Sequence, residues 1–193
     1  VENGLVKRRI AEHIATSKAL KGDAALQDAL LSISRKTAEC YRKGGKTIFM
    51  GNGGSAADAQ HMAAEFLGKY MLDRRPIPAL ALTSNSSAVT AIGNDYGFEE
   101  VFRRQLEAHA GKDDVVVAIS TSGNSKNVLS ALLWARTHGI FCVALVGSKK
   151  CALDGKADVV LHAPGDSTPR IQEMHGLLLH IFCELVEAEL FGK

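Results

Sequence analysis

The sequence predicts an α/β protein: a three-layer α/β/α sandwich around a five-stranded parallel sheet, with two helices ahead of the first strand. Three observations carry this expectation. Short apolar runs alternate with stretches of helical periodicity. The runs VVVAI (115–119) and IFCVALV (140–146) are apolar throughout, as strands buried on both faces are. Turns rich in Gly, Ser and Asn end two of the strands and open helices, and helical crossovers make the strands they join parallel.

In chain order, apolar residues recur at helical spacing from Leu5 to Leu20 and from Ala24 to Tyr41, with Gly22 and Asp23 as a break and an N-cap. After Gly44-Gly45 comes the first strand, KTIFM (46–50), then the turn Gly51-Asn52-Gly53-Gly54-Ser55 and an Ala-rich helix from Ala56 to about Tyr70. The second strand is PALALT (78–83), followed by helical stretches at Ala88–Ile92 and Glu99–Ala110. DDVVVAIS (113–120) leads into a second polar turn, TSGNS, and a helix from Val128 to His138. IFCVALV and ADVVLHA (157–163) complete the sheet, and a helix from about Pro169 to Leu190 closes the chain, capped by Thr168 with Pro169 in its first turn.

A length of 193 residues suits one domain, and 46% hydrophobic with 23% charged residues places the chain among ordinary globular proteins rather than disordered or fibrous ones. The 23 basic and 21 acidic residues nearly cancel, so no broad charged surface for nucleic acid is expected; Lys7, Arg8 and Arg9 read as a solvated helix face. Cys40, Cys142, Cys151 and Cys183 lack CxxC spacing, which points to a reducing compartment. Charges interrupt the first twenty residues, and no apolar run is long enough to span a bilayer, so a cytoplasmic, membrane-free protein is expected.

Ligands of open α/β sheets bind beyond the carboxyl ends of the strands, where both polar turns fall. Ser120-Thr121-Ser122-Gly123-Asn124-Ser125 brings four hydroxyls, a flexible glycine and the N–H groups of a helix N-terminus to one place, a set suited to a phosphate. A bare N-cap would need one hydroxyl. The glycines of the first turn admit close approach of a ligand to backbone. With Ala56 that turn also fits a loose dinucleotide fingerprint, but the following strand ends in Thr83 rather than an acidic residue, and no Walker lysine is present.

His61 and Glu65, four residues apart on the helix leaving the first turn, share one face; the same spacing also occurs in plain surface pairs. On the last helix Gln172, Glu173, His175 and His180 are candidate site residues. Gln172 and His180 lie two turns apart, on the order of 12 Å between α-carbons. A metal held by His61, Glu65, Gln172 and His180 would therefore require extended side chains, and Gln is an uncommon zinc ligand.

Four segments, GNGGSAADAQHMAAE (51–65), IGNDYGFEEVF (92–102), STSGNS (120–125) and RIQEMHGLLLH (170–180), together resemble the sugar isomerase (SIS) family, and within it the sedoheptulose 7-phosphate isomerases, over nearly the whole chain. The resemblance implies one SIS domain over 1–193, with helices for oligomer packing over 1–43 and a flavodoxin-like sandwich over 44–193. It also implies a homotetramer with active sites at subunit boundaries. It assigns the phosphate to Ser120, Thr121, Ser122 and Ser125, and the rest of the sugar to Asn52, Gly53, Gly54, Ser55, Glu65, Asn94, Asp95 and Gln172. One Zn2+ per subunit would be bound by His61, Glu65, Gln172 and His180.

The implied reaction converts sedoheptulose 7-phosphate to D-glycero-D-manno-heptose 7-phosphate, the first step of bacterial heptose synthesis for lipopolysaccharide or capsule. A proton moves between C1 and C2 through an enediol or enediolate, which needs a base and an acid. Glu65 is expected to shuttle the carbon proton, and His180 to serve the oxygen or assist ring opening. Two alternatives share the fold: a non-enzymatic adaptor that binds the replication initiator, whose branch lacks the Glu65 and His180 pair, and an isomerase or sensor for another phosphosugar.

Overall fold

The structure, a computed structural model, describes residues 3–192. Helices α1 (Asn3–Gly22) and α2 (Ala24–Arg42) are separated by Asp23 alone, whose carboxylate accepts the Leu26 N–H at 2.9 Å as the expected cap. Next come β1 (Thr47–Gly51), α3 (Gly54–Leu67), β2 (Ala79–Ala81), α4 (Ser86–Tyr96), a 3₁₀ turn at Phe98–Glu100, α5 (Arg103–His109), β3 (Val115–Ser120), α6 (Lys126–Thr137), β4 (Phe141–Gly147), β5 (Val159–Ala163) and α7 (Thr168–Phe191).

All five strands are parallel, in the order β2-β1-β3-β4-β5. Successive side chains feed opposite layers. Val115, Val117 and Ile119 of β3 join one core with Val143 and Leu145 of β4 under α2, α3 and α7. Val116 and Ala118 join the other with Cys142, Ala144 and Val146 beside α6. Period two with both faces covered leaves no polar position, which is why these strands read as unbroken apolar runs.

The expected three-layer sandwich is therefore present, with shifted ends. Helix α3 begins two residues earlier than the periodicity suggests and stops at Leu67 instead of Tyr70. Arg74 is the reason: its guanidinium takes the Glu65, Phe66 and Gly68 carbonyls at 2.9, 3.0 and 3.1 Å, oxygens left free at the helix end. Thr168 is the first helical residue of α7 rather than its cap; Ser167 holds that position with no side-chain hydrogen bond.

Helix α2 packs along α7 and covers part of the sheet with Leu26, Leu30 and Ile33. Helix α1 touches α7 but leaves Val6, Ile10 and Ile14, one stripe at four-residue spacing, about half exposed. All four cysteines are free, and among the described residues no helix is long and apolar enough to cross a membrane.

Candidate active site

The chain leaves β1 toward one edge of the sheet and returns at β3 on the other side, so the strand order reverses between β1 and β3. A crevice opens at such a switch point, beyond the strand ends, because the two neighbouring connections depart to opposite faces. The two polar turns flank this crevice. A reciprocal amide pair ties them together: Asn52 Nδ2 donates to Asn127 Oδ1, and Asn127 Nδ2 to Asn52 Oδ1, both at 2.9 Å. Asn127 is buried, and its Oδ1 also accepts the Val128 N–H.

In the turn after β3, Ser120 Oγ stands 3.2 Å from Ser125 Oγ and accepts the Gly123 N–H at 3.2 Å, while Ser122 Oγ accepts the Asn124 N–H at 3.2 Å. Gly123 has a φ of +62°, and a Cβ there would collide with the Cys151 Sγ, so both the conformation and the space call for glycine. Ser125 is the N-cap of α6, but its hydroxyl caps no N–H group. Hydroxyls and the first N–H groups of α6 thus face the open end of the turn, where the helix dipole favours an anion.

The second half of the crevice is made by α3 and α7, which run side by side in the same sense. Gln172 lies over the first turn of α3, His61 meets His180, and Phe66 packs on Phe182. His61 Nε2 and Glu65 Oε1 are 2.9 Å apart, so the helical spacing does bring this pair together. The His61 and His180 rings meet edge to face with centroids 5.1 Å apart, and Tyr70 stacks on His180 at 5.9 Å.

Gln172 is placed differently. Its amide fills the space a Cβ on Gly54 would need, and its Nε2 donates to the Asp58 carboxylate at 3.3 and 3.4 Å. Burial holds the Asp58 carboxyl above its ordinary pKa, against the Gln172 amide and the nearby His61 and His180. The structure therefore groups His61, Glu65 and His180, with an Asp58–Gln172 pair nearer the N-termini of α3 and α7. Two imidazoles and a carboxylate are donors that suit zinc. Among the described residues, however, no three His, Cys, Asp or Glu side chains stand in ligating geometry. Holding an ion would require His61 and Glu65 to exchange their mutual hydrogen bond for it.

Asn94 and Asp95 lie exposed on α4, where Asn94 Nδ2 donates to Asp95 Oδ1 at 2.7 Å. Asp95 lines a separate cavity of about 520 Å³ between α4 and α5.

The SIS domain family matches residues 13–147. A phosphoheptose isomerase of Geobacter sp. (strain M21) is 50% identical over 188 residues, 97% of each chain, and one of Sulfurimonas denitrificans is 48% identical over 97% of this chain and 96% of the relative. The chain belongs to the phosphoheptose isomerase family. Among solved structures, the family's member from Neisseria gonorrhoeae superposes with a TM-score of 0.89 at 39% identity, covering 96% of this chain and 98% of that one. The member from Francisella tularensis gives 0.84 at 34% identity over 95% of each.

Two residues of this crevice were absent from the sequence-based expectations. Asp58 could have been found: with Gly54, His61 and Glu65 it follows the period of one helical face. Asn127 offered only a weaker signal, a polar residue two positions past the cap of α6, whose burial depends on a partner 75 positions away.

Proposed function

We propose that the protein is a phosphoheptose isomerase that converts sedoheptulose 7-phosphate to D-glycero-D-manno-heptose 7-phosphate. The observation that carries this is a continuous path of contacts across the crevice. It runs from the hydroxyl-rich turn through Asn127 and Asn52 to the start of α3, from there through Gln172 to Asp58, and along α3 by one helical turn to His61, which meets Glu65 and His180. An anion site and an acid–base cluster thus share one rigid support. An adaptor would need no such cluster.

In this reading the phosphate rests on Ser120, Thr121, Ser122 and Ser125, and Asn52, Gly53, Gly54, Ser55 and Gln172 line the path of the carbon chain. The C1–C2 end reaches Glu65 and His180. Glu65 takes the proton from one carbon and returns it to the other; His180 donates to and accepts from the carbonyl or hydroxyl oxygen, restrained by His61 and Tyr70. Because the phosphate binds equally in substrate and transition state, it sets KM, whereas Glu65 and His180 act on kcat.

We further propose one zinc ion per subunit, held by His61, Glu65 and His180, with Gln172 as the fourth ligand if it leaves Asp58. When bound, the ion would polarise the substrate carbonyl. A carboxylate bound to zinc is a weaker base, so Glu65 would either hold the ion or move the carbon proton, or would alternate between the two as substrate enters.

A homotetramer is the proposed assembly. It is supported by the exposed stripe Val6, Ile10 and Ile14 and by an apolar groove of about 440 Å³ lined by Leu20, Leu26, Leu30, Leu31, Leu177 and Ile181. Association would also allow Asn94 and Asp95 to serve a neighbour's crevice. A cytoplasmic location and a product destined for lipopolysaccharide or capsule fit this substrate.

The test is incubation of purified protein with sedoheptulose 7-phosphate in deuterated water, with chelator and with zinc restored, followed by NMR. Aldose formation with deuterium at C2 is expected. Loss on chelation and return with zinc supports the ion; turnover indifferent to chelation rejects it while keeping the isomerase. Neither turnover nor exchange under any condition overturns the assignment in favour of an adaptor.

A further inference from the structure

The phosphate turn is held from behind by a second set of polar groups that the proposed reaction does not use. In the connection from β4 to β5, Asp154 Oδ2 accepts the Cys151 N–H at 2.9 Å and closes a tight turn over residues 151–154. Two N–H groups of that turn point at the phosphate turn: Ala152 donates to Asn124 Oδ1 at 2.9 Å and Leu153 to the Gly123 carbonyl at 3.1 Å. The Cys151 side chain fills the space beside Gly123.

The other Asp154 oxygen, Oδ1, lies 3.0 Å from His162 Nε2 on β5. His162 Nδ1 stands 2.9 Å from the Gly147 carbonyl, and the Gly147 N–H donates to the Thr121 carbonyl at 3.2 Å. Both ring nitrogens of His162 thus face oxygen atoms, one on Asp154 and one on Gly147. The Cys151 N–H above all, with His162 adding to it, holds the Asp154 carboxyl below its ordinary pKa, so the charged form is the one built in.

We propose that Asp154 and His162 are positioning residues for substrate phosphate. One carboxylate and one imidazole fix the 151–154 turn and the end of β4, and these hold the backbone of Thr121, Gly123 and Asn124 in the shape that receives the anion. This rests on the phosphate assignment of the Ser120–Ser125 turn. The benefit is preorganisation: a polar turn with four hydroxyls and a glycine has many conformations, and each that is removed beforehand is one the phosphate does not have to exclude on binding.

The test uses Asp154→Ala, Asp154→Asn and His162→Ala in the full chain, with KM and kcat for sedoheptulose 7-phosphate, the inhibition constant of inorganic phosphate, and the thermal midpoint. Asp154→Ala is expected to raise KM and the phosphate inhibition constant together by about tenfold, equivalent to about 1.4 kcal/mol, with kcat within about twofold of the parent. Asp154→Asn keeps an oxygen for the Cys151 N–H and should recover most of the loss. His162, partly exposed, reports on the same device if Asp154→Ala fails to fold, with a smaller rise in the same two constants. A lowered midpoint with unchanged phosphate affinity would reduce the turn to a structural feature and overturn the proposal while leaving the phosphate assignment intact. If inorganic phosphate does not compete in the parent protein, both fall.

Discussion

Glu65 and His180, the proposed base and acid, are both held by their neighbours. Glu65 is a quarter exposed, partnered by His61, on the last full turn of α3, and His180 is packed against two rings. Glu65→Gln preserves size and hydrogen bonding but removes the base, so kcat should fall by about 10²–10⁴-fold while the phosphate inhibition constant stays constant. Deuterium exchange at C2 must fall with it; exchange at the parental rate would remove Glu65 from the carbon proton transfer. Ser120→Ala is expected to do the reverse, raising KM several-fold with kcat largely kept, as steady-state kinetics would read.

The elements matter through their ends. The polar turns after β1 and β3 act as one surface because the Asn52 and Asn127 amides face each other, with donors and acceptors exchanged. Asn127→Asp has the same shape but places an oxygen against the Asn52 oxygen and a negative charge at the start of α6. A charge there suits the helix dipole, so the fold should tolerate it. It also occupies the field that the proposed phosphate site would use. KM should rise by about tenfold or more, with a smaller change in kcat, as the equivalent of 1.4 kcal/mol or more of lost anion binding. An unchanged KM would separate this pair from phosphate binding.

For the molecule as a whole, the site depends on α3 staying in register with α7, and a buried ion pair sets that register. Arg74 gathers the last carbonyls of α3 and donates to Glu187 of α7 at 2.6 Å; Glu187 also accepts the Met71 and Leu72 N–H groups at 2.9 Å each, and both side chains are less than 5% exposed. Burial pushes the Glu187 carboxyl up, but those two N–H groups and Arg74 together outweigh it, leaving its pKa below the ordinary 4.5. A depressed carboxyl contributes stability that is complete above the unfolded value and is lost as pH falls through the lower folded value.

Denaturant unfolding between pH 7 and pH 3 should therefore show a steeper acid loss for the parent than for Glu187→Gln. At neutral pH that substitution should cost about 3–5 kcal/mol, because it leaves Arg74 buried without its charge partner. A cost within the range of a surface change would remove the pair from this role.

The sequence by itself determined the sheet, the two polar turns at the strand ends and the His61–Glu65 face. Each is governed by local rules: period two, period 3.6 and the conformational freedom of glycine. Helix ends were less legible. The stop of α3 at Leu67 depends on Arg74 reaching back to its carbonyls, and the cap of α7 fell one residue before Thr168. Only the tertiary structure decided that Asn127 joins the two turns, that Gln172 faces Asp58 rather than His61, Glu65 and His180, and that the 151–154 turn closed by Asp154 packs against Gly123 and Asn124. Those choices are made between residues 28 to 114 positions apart, where spacing along the chain carries no distance and only the packing of helices on the sheet supplies one.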